Sequence, residues 1–130
     1  MNLRELVTKH GENFKSVVET ELRRLATELP DFIYCTDGLG ECLYNGPPAE
    51  IAGEVRSNPP SKGCIFGQAL QALGWDDVVE MAYGGSVSEL FMNYASNFIP
   101  PFDWRRVQTA QDNGNSWSYA IQKLPSPGQS

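Results

Sequence analysis

The sequence predicts an α+β domain in which mostly short helices pack around a small antiparallel β-hairpin. Apolar residues recur at helical spacing over most of the chain, and glycine or proline follows most of these stretches. Two short apolar runs, 31–36 and 41–45, flank a turn-forming segment and predict the hairpin. The alternatives are an all-α bundle with an ornamental hairpin, or a dimer that shares one sheet.

The length of the chain predicts one domain. It has 130 residues, of which 41% are hydrophobic, so a core can form without help from metals or disulfides. We expect a single globular domain over 1–124 and a frayed tail over 125–130. Residues 46–63 hold four prolines and three glycines and predict a long loop, a type of segment that is often functional.

The first 30 residues predict two consecutive helices. Leu3, Leu6 and Val7 share one helical face, and Gly11 is expected to break or bend the segment. The second helix carries an apolar stripe and ends at Pro30. Its stripe consists of Phe14, Val17, Val18, Leu22, Leu25 and Leu29.

The predicted hairpin over 31–45 is apolar on both faces, which is rare for a free-standing hairpin. It is therefore expected to lie between helices or to pair with another chain, giving a homo-oligomer. Centring the turn on Gly38 and Leu39 places Cys35 opposite Cys42, with Cα atoms about 5.5 Å apart. That distance permits a disulfide, although two small apolar side chains on a hairpin are the alternative that we favour.

Residues 64–124 predict a series of short helices. The first covers 64–73 and ends at Gly74, the second covers 76–82, and the third starts at a capping box formed by Ser86 and Glu89. Asp103 is expected to cap a helix over 104–113 that Gly114 terminates. A last helix reaches Leu124 with a core stripe of Trp117, Ala120, Ile121 and Leu124.

Charge and hydropathy exclude several function classes. The net charge is −6 and the pI is about 4.7, which disfavours general nucleic-acid binding and adhesion to anionic membranes. No apolar run approaches the roughly 18 residues that a membrane span needs. The first 15 residues lack the apolar core of a signal peptide, so we expect a cytoplasmic protein.

The cysteine and histidine content predicts neither a disulfide framework nor a metal site. Three cysteines are an odd number, and the six-residue gap between Cys35 and Cys42 exceeds the usual zinc-ligand spacing. His10 is the only histidine. No cofactor is expected either, because the glycines near Lys62 lack phosphate-loop spacing.

Catalytic candidates are few, so the sequence favours a protein that is not an enzyme. Cys64 is the best of them, because the start of a helix favours a thiolate. A cysteine nucleophile also needs a base, however, and His10 is the only histidine available. Asp76 and Asp77 form a carboxylate pair, a pattern that is more often ordinary helix chemistry.

The best candidate ligand site is an arginine pair beside an aromatic residue. Arg105 and Arg106 follow Trp104, and guanidinium groups next to a ring can hold a phosphate or a carboxylate, or stack on a base. Tyr44 of the predicted hairpin and Lys62 of the long loop complete the candidate set. The expected ligand is a small anion with nucleotide-like chemistry.

Two segments resemble a recurrent pattern. GCIFGQALQALG (63–74) and VQTAQDNGNSWSYAI (107–121) are similar to segments of small proteins from actinobacteria and their bacteriophages. In that pattern Gly114 permits a reversal between two helices, and Gln108, Gln111 and Asp112 can satisfy helix ends or bind a partner. The resemblance implies an accessory protein and assigns no catalytic residue.

Three functions follow from the sequence. The leading hypothesis is a non-enzymatic binding module, an accessory protein of a phage or an actinobacterium that engages a host protein. The second is a protein that binds or sequesters a small nucleotide-like signal, as an anti-defence protein would. The third is a small enzyme that uses Cys64 or the Asp76 and Asp77 carboxylates.

Overall fold

The computed structural model describes residues 1–32, 64–83 and 85–125, and 69% of these residues are helical. They form seven α-helices, and a 3-10 helix precedes α2 and another follows α7. The α-helices are α1 (Leu3–His10), α2 (Phe14–Glu28), α3 (Ile65–Ala72), α4 (Val78–Met81), α5 (Val87–Tyr94), α6 (Phe102–Asp112) and α7 (Trp117–Ala120). The 3-10 helices are Gly11–Asn13 and Ile121–Lys123.

The predicted α+β class is wrong. The described part of the chain contains no strand and no sheet, and it is an assembly of helices. Of the predicted hairpin at 31–45, only Asp31 and Phe32 are described, in a turn and an irregular position. Phe32 packs on Trp117 with ring centroids 4.5 Å apart, so helix packing buries this apolar side chain. Residues 33–45, and with them the predicted oligomer contact, lie outside the described residues.

The two N-terminal helices form as predicted. Gly11, at φ +54°, ends α1 and begins the 3-10 helix that precedes α2, and glycine suits this position because a residue with a Cβ atom rarely adopts a positive φ. Leu3 and Leu6 of α1 and Phe14 and Leu22 of α2 are fully buried. The apolar stripes of α1 and α2 therefore face one core, to which α3, α5, α6 and α7 also contribute.

Aromatic rings fill the centre of this core. Phe14 lies edge-on to Phe98 and Phe91, with centroids 4.8 and 5.8 Å apart. Trp104 contacts Phe98 at 5.4 Å and Phe66 at 5.6 Å. The cluster joins α2, α3, α5 and α6 with the Phe98 segment, and each such pair adds about 1 kcal/mol beyond simple burial.

Each tryptophan in the core donates its indole N–H to a buried acceptor. Trp75 donates to Glu80 (3.0 Å), Trp104 to Glu19 (2.8 Å) and Trp117 to Gln111 (3.1 Å). All three rings are at most 1% exposed. A buried donor without a partner costs about 1–3 kcal/mol, so these three acceptors are required by the tryptophans.

Helix α6 supplies side-chain hydrogen-bond acceptors to the N-termini of two other helices. The side-chain oxygen of Gln111 accepts the Ile65 N–H at the start of α3 (2.8 Å), where Cys64 supplies no side-chain cap. Gln108 accepts the Val87 N–H at the start of α5 (2.7 Å). The first amides of a helix have no partner within it, so α6 satisfies donors that α3 and α5 cannot. The predicted role of the two glutamines at helix ends is confirmed.

Most predicted helix ends are confirmed, and one is corrected. Ser86 and Glu89 form the predicted capping box of α5, and Gly74 and Gly114 have positive φ after α3 and α6. Helix α6 begins at Phe102 behind Pro101, so Asp103 lies in its first turn and is not its N-cap. The fixed φ of proline suits this entry into a helix.

The capping box of α5 predicts that the Glu89 carboxyl has a measurably lowered pKa. Hydrogen bonds from the Ser86 side chain and backbone, and then from Tyr83, lower the pKa of Glu89 below its ordinary value of 4.5. We expect carbon-detected NMR to find this low pKa, and Ser86→Ala to raise it. The stabilisation is present above the unfolded pKa and is lost as the pH falls through the folded pKa. An unchanged pKa in Ser86→Ala would contradict the assignment.

None of the described helices is both long and apolar enough to cross a lipid bilayer.

Candidate functional site

The candidate site is a groove between α6 and residues 115–123, which we call the α7 segment because they contain α7 and the 3-10 helix after it. Gly114, at φ +89°, reverses the chain after α6, and Ser116 caps α7 by accepting the Tyr119 N–H. Trp117 anchors the returning segment, because it is fully buried and its backbone N–H donates to the Phe32 carbonyl at 3.0 Å. The reversal therefore holds α7 beside the outer face of α6.

The groove has a volume of about 470 Å³ and opens to solvent along one side. Its α6 wall is a helical stripe at three- and four-residue spacing, and the α7 wall is contributed by residues four apart. The lining residues are Phe102, Arg105, Arg106, Thr109, Ala110, Asn113, Asn115, Tyr119 and Lys123. The groove therefore combines cations, amides and aromatic rings.

The lining of the groove is cationic. Arg105, Arg106 and Lys123 contribute three positive charges, and none of the described lining residues is acidic. Among the described carboxylates, Asp103 lies 3.5 Å from Arg106, and Glu89 has a low pKa to which Arg105 contributes. Such exposed pairs are worth less than about 1 kcal/mol, so an anionic ligand can compete with them.

The aromatic residues of the groove are accessible. Phe102 is 74% exposed and Tyr119 is 44% exposed, whereas the aromatic residues of the core are almost fully buried. The Lys123 ammonium lies 4.8 Å from the centroid of the Tyr119 ring and covers one of its faces. This cation–π contact orders Lys123 at the edge of the groove.

The structure separates the predicted ligand residues. Arg105 and Arg106 both line the groove, while Trp104 lies in the core with its indole N–H bound to Glu19. Consecutive helix positions point about 100° apart, so an aromatic residue next to an arginine in sequence need not share its face. Tyr44 and Lys62 lie outside the described residues.

Cys64 is fully buried and disulfide-bonded. The two other cysteines of the chain, Cys35 and Cys42, lie outside the described residues. A thiolate nucleophile at Cys64 would first require reduction of this bond, because only the thiolate attacks. The same segment lies behind the groove wall, since the Ile65 N–H donates to Gln111 of α6.

Hydrogen bonds or ion pairs engage the carboxylates that the sequence marks as catalytic candidates. Asp76 pairs with the N-terminal ammonium, and its backbone N–H donates to the Met1 carbonyl. Asp77 caps α4 by accepting the N–H groups of Val79 and Glu80. The buried Glu80 accepts from the Leu3 N–H (2.8 Å) as well as from Trp75. These contacts give each carboxylate a structural role.

Sequence reasoning missed most of the groove. Phe102, Thr109 and Asn113 share the α6 stripe with the two arginines, and the helical spacing of these residues on the face opposite Trp104 was available as a signal. Tyr119 and Lys123 also have helical spacing. Their position against α6 depends on the angle of the chain reversal, which no local pattern encodes.

A second arginine-lined groove provides an internal comparison. Arg24 lines a groove of about 440 Å³ between α2 and α3, but Glu28 lies in the same lining. The Arg24 guanidinium contacts both Glu21 and Glu28 at 2.7 Å. Arg24 is therefore held by two carboxylates of its own helix, whereas Arg106 of the α6–α7 groove has one such partner, Asp103, at the longer distance of 3.5 Å.

No known protein family has a model that matches this chain, and neither the curated proteins nor the solved structures include one that is significantly similar to it.

Proposed function

We propose that this protein is a non-enzymatic binding module, and that the α6–α7 groove receives an anionic group of its partner. The observation that carries the proposal is the lining itself: three cations and no described acidic residue. Arginine guanidinium groups recognise carboxylates and phosphates through paired N–H donors. The acidic chain as a whole repels anions, so a groove whose lining carries three cations attracts them locally.

Inorganic pyrophosphate tests this proposal, because it is a multivalent anion without an apolar part. We expect it to shift the amide NMR signals of α6 and α7, and Arg105→Ala/Arg106→Ala to weaken binding by about tenfold or more, or roughly 1.4 kcal/mol. Arg24→Ala is the matched control, since two carboxylates already hold that guanidinium. Unchanged binding in the double variant would refute the site.

The resemblance to small proteins of actinobacteria and their bacteriophages supports an accessory role in which the partner is a host protein. A cytoplasmic location is part of this proposal. The disulfide at Cys64 is the observation against it, because cytosolic thiols are kept reduced. Acid quenching of intact cells, followed by alkylation of the unfolded protein and mass spectrometry, tests the location: a Cys64 thiol that is free at the moment of quenching supports the cytoplasm.

A small nucleotide-like ligand is the second candidate function. The volume of about 470 Å³ favours it, because small-molecule sites occupy roughly 300–1,000 Å³. Native mass spectrometry of protein recovered from an actinobacterial lysate would detect such a ligand as a mass increment of a few hundred daltons. The increment must disappear in Arg105→Ala/Arg106→Ala for the groove to be its site.

A further inference from the structure

We propose that the partner group bound by the α6–α7 groove is a short acidic peptide segment that carries an apolar side chain beside its carboxylates. This inference rests on the proposed anion-binding function and adds the class of the partner and its mode of docking. It depends on three observations: the length and openness of the groove, the positions of its cations on both walls, and the exposed apolar side chains near the start of α6.

The shape of the groove suits an extended peptide. Its α6 wall runs from Phe102 to Asn113, which at 1.5 Å per residue corresponds to about 16 Å. An extended chain covers about 3.3 Å per residue, so roughly five peptide residues fit along the wall. The side-chain amide of Asn113 is at the far end, and an amide is a suitable partner for peptide N–H and C=O groups. The neighbouring Asn115 amide N–H already donates to the Ala110 carbonyl at 2.9 Å, so Asn115 offers the peptide its side-chain oxygen.

The cations of the groove favour a peptide with carboxylate side chains. Arg105 and Arg106 lie in the second turn of α6, and Lys123 lies on the opposite wall. Two or three acidic side chains of a peptide could therefore reach cations on both walls. Since Arg106 is 51% exposed, each such contact gains little energy alone, and affinity requires several of them together.

Apolar side chains mark the start of α6. Phe102 is 74% exposed and Ile99, three residues earlier, is 87% exposed. Large apolar side chains exposed next to arginine and tyrosine are typical of protein interfaces, in which Tyr and Arg supply much of the binding energy. An apolar side chain of the peptide would cover Phe102 while its carboxylates contact the arginines.

The same geometry disfavours a nucleobase. Lys123 already covers one face of the Tyr119 ring, and Phe102 has no stacked aromatic partner among the described residues. A base would therefore lack the pair of facing planes that strengthens stacking. A peptide needs only one exposed apolar surface.

Four probes test the inference by NMR titration of the full chain. They are acetyl-Asp-Glu-Phe-Glu-Asp-amide, the same peptide with Ala in place of Phe, the same peptide with Asn and Gln in place of the acids, and adenosine monophosphate. We expect the first to shift α6 and α7 amides and to bind about fivefold or more tightly than the Ala peptide. The uncharged peptide should bind about tenfold more weakly or not at all.

Variants locate the two halves of the interaction. Phe102→Ala is expected to abolish the preference for the Phe peptide over the Ala peptide, because Phe102 is the groove side chain that the apolar residue of the peptide would cover. Met92→Ala is the matched control, because Met92 is 71% exposed on α5 and does not line the groove. Both side chains are exposed, so neither substitution removes part of the core.

The outcomes distinguish a failure of the peptide inference from a failure of the proposed anion-binding function. If the Phe and Ala peptides bind equally and both need the arginines, the anion site stands and the apolar contact is refuted. If adenosine monophosphate binds more tightly than the Phe peptide through the same residues, the partner class is a nucleotide and the peptide inference fails. If neither pyrophosphate nor any peptide shifts the groove, the proposed function fails as well.

Discussion

Replacing Gln111 with leucine is expected to lower the free energy of unfolding by about 3 kcal/mol. The Gln111 side chain is fully buried, and its oxygen accepts the Ile65 N–H at 2.8 Å and the Trp117 indole N–H at 3.1 Å. Leucine nearly preserves the volume but removes the acceptor, so two buried donors lose a partner. The Ile65 N–H lies at the start of α3, and the Trp117 indole holds α7 in place. The substitution should therefore destabilise the core and also loosen the α7 wall of the groove.

Urea unfolding followed by tryptophan fluorescence measures this effect. Gln122→Leu is the matched control, because Gln122 is exposed and such surface substitutions change stability by about 0.5 kcal/mol or less. The double variant Gln111→Leu/Trp117→Phe removes one of the two orphaned donors. Its loss should therefore be smaller than the sum of the two single losses, and strict additivity would show that the indole contact contributes nothing.

The helices of this protein could be predicted because their signals are local. The capping box of Ser86 and Glu89 and the positive-φ glycines after α3 and α6 need only neighbouring residues to form. The acceptor role of Gln111 is different, since its donors lie at positions 65 and 117. A sequence shows that this glutamine lies on the inner face of α6 but not which helix end it meets.

The fold class was wrong because a short apolar run does not distinguish a strand from a segment buried among helices. Phe32 belongs to such a run, and the described part of it packs on Trp117. The Phe32 carbonyl also accepts the Trp117 N–H, which gives this backbone group a partner without a sheet. At Phe32, a tertiary contact with α7 thus takes the place of the cross-strand contact that the predicted hairpin implied.

Two of the nine described groove residues followed from the sequence, and the reason lies in helix geometry. Arg105 and Arg106 were identifiable because two adjacent cations near a helix start are rarely core residues. Trp104 was grouped with them by adjacency, although its three- and four-residue neighbours Val107 and Gln108 are buried with it. The opposite wall could not be predicted, because it depends on where the reversal at Gly114 places α7.

Reduction of the disulfide at Cys64 is expected to lower the free energy of unfolding by about 3.5 kcal/mol. Cys42 and Cys35 precede Cys64 by 22 and 29 positions. Closing a loop of either length lowers the conformational entropy of the unfolded chain, which raises its free energy by about 3.5 kcal/mol. Cys64 is fully buried at the start of α3, so the bond fixes the chain at the helix end that Gln111 also holds. We expect guanidinium unfolding midpoints to fall when a reductant is present.

Thiol counting tests whether the disulfide is present, and peptide mapping identifies the cysteine that is bonded to Cys64. Unfolded, non-reduced protein should contain one free thiol per chain, and reduced protein three. Glu-C cleavage after Glu41 separates Cys35 from Cys42, so the non-reduced peptide joined to Cys64 identifies its partner. Substituting either bonded cysteine with serine should remove the effect of reductant, whereas the third cysteine serves as the control. Three free thiols before reduction would refute the bond.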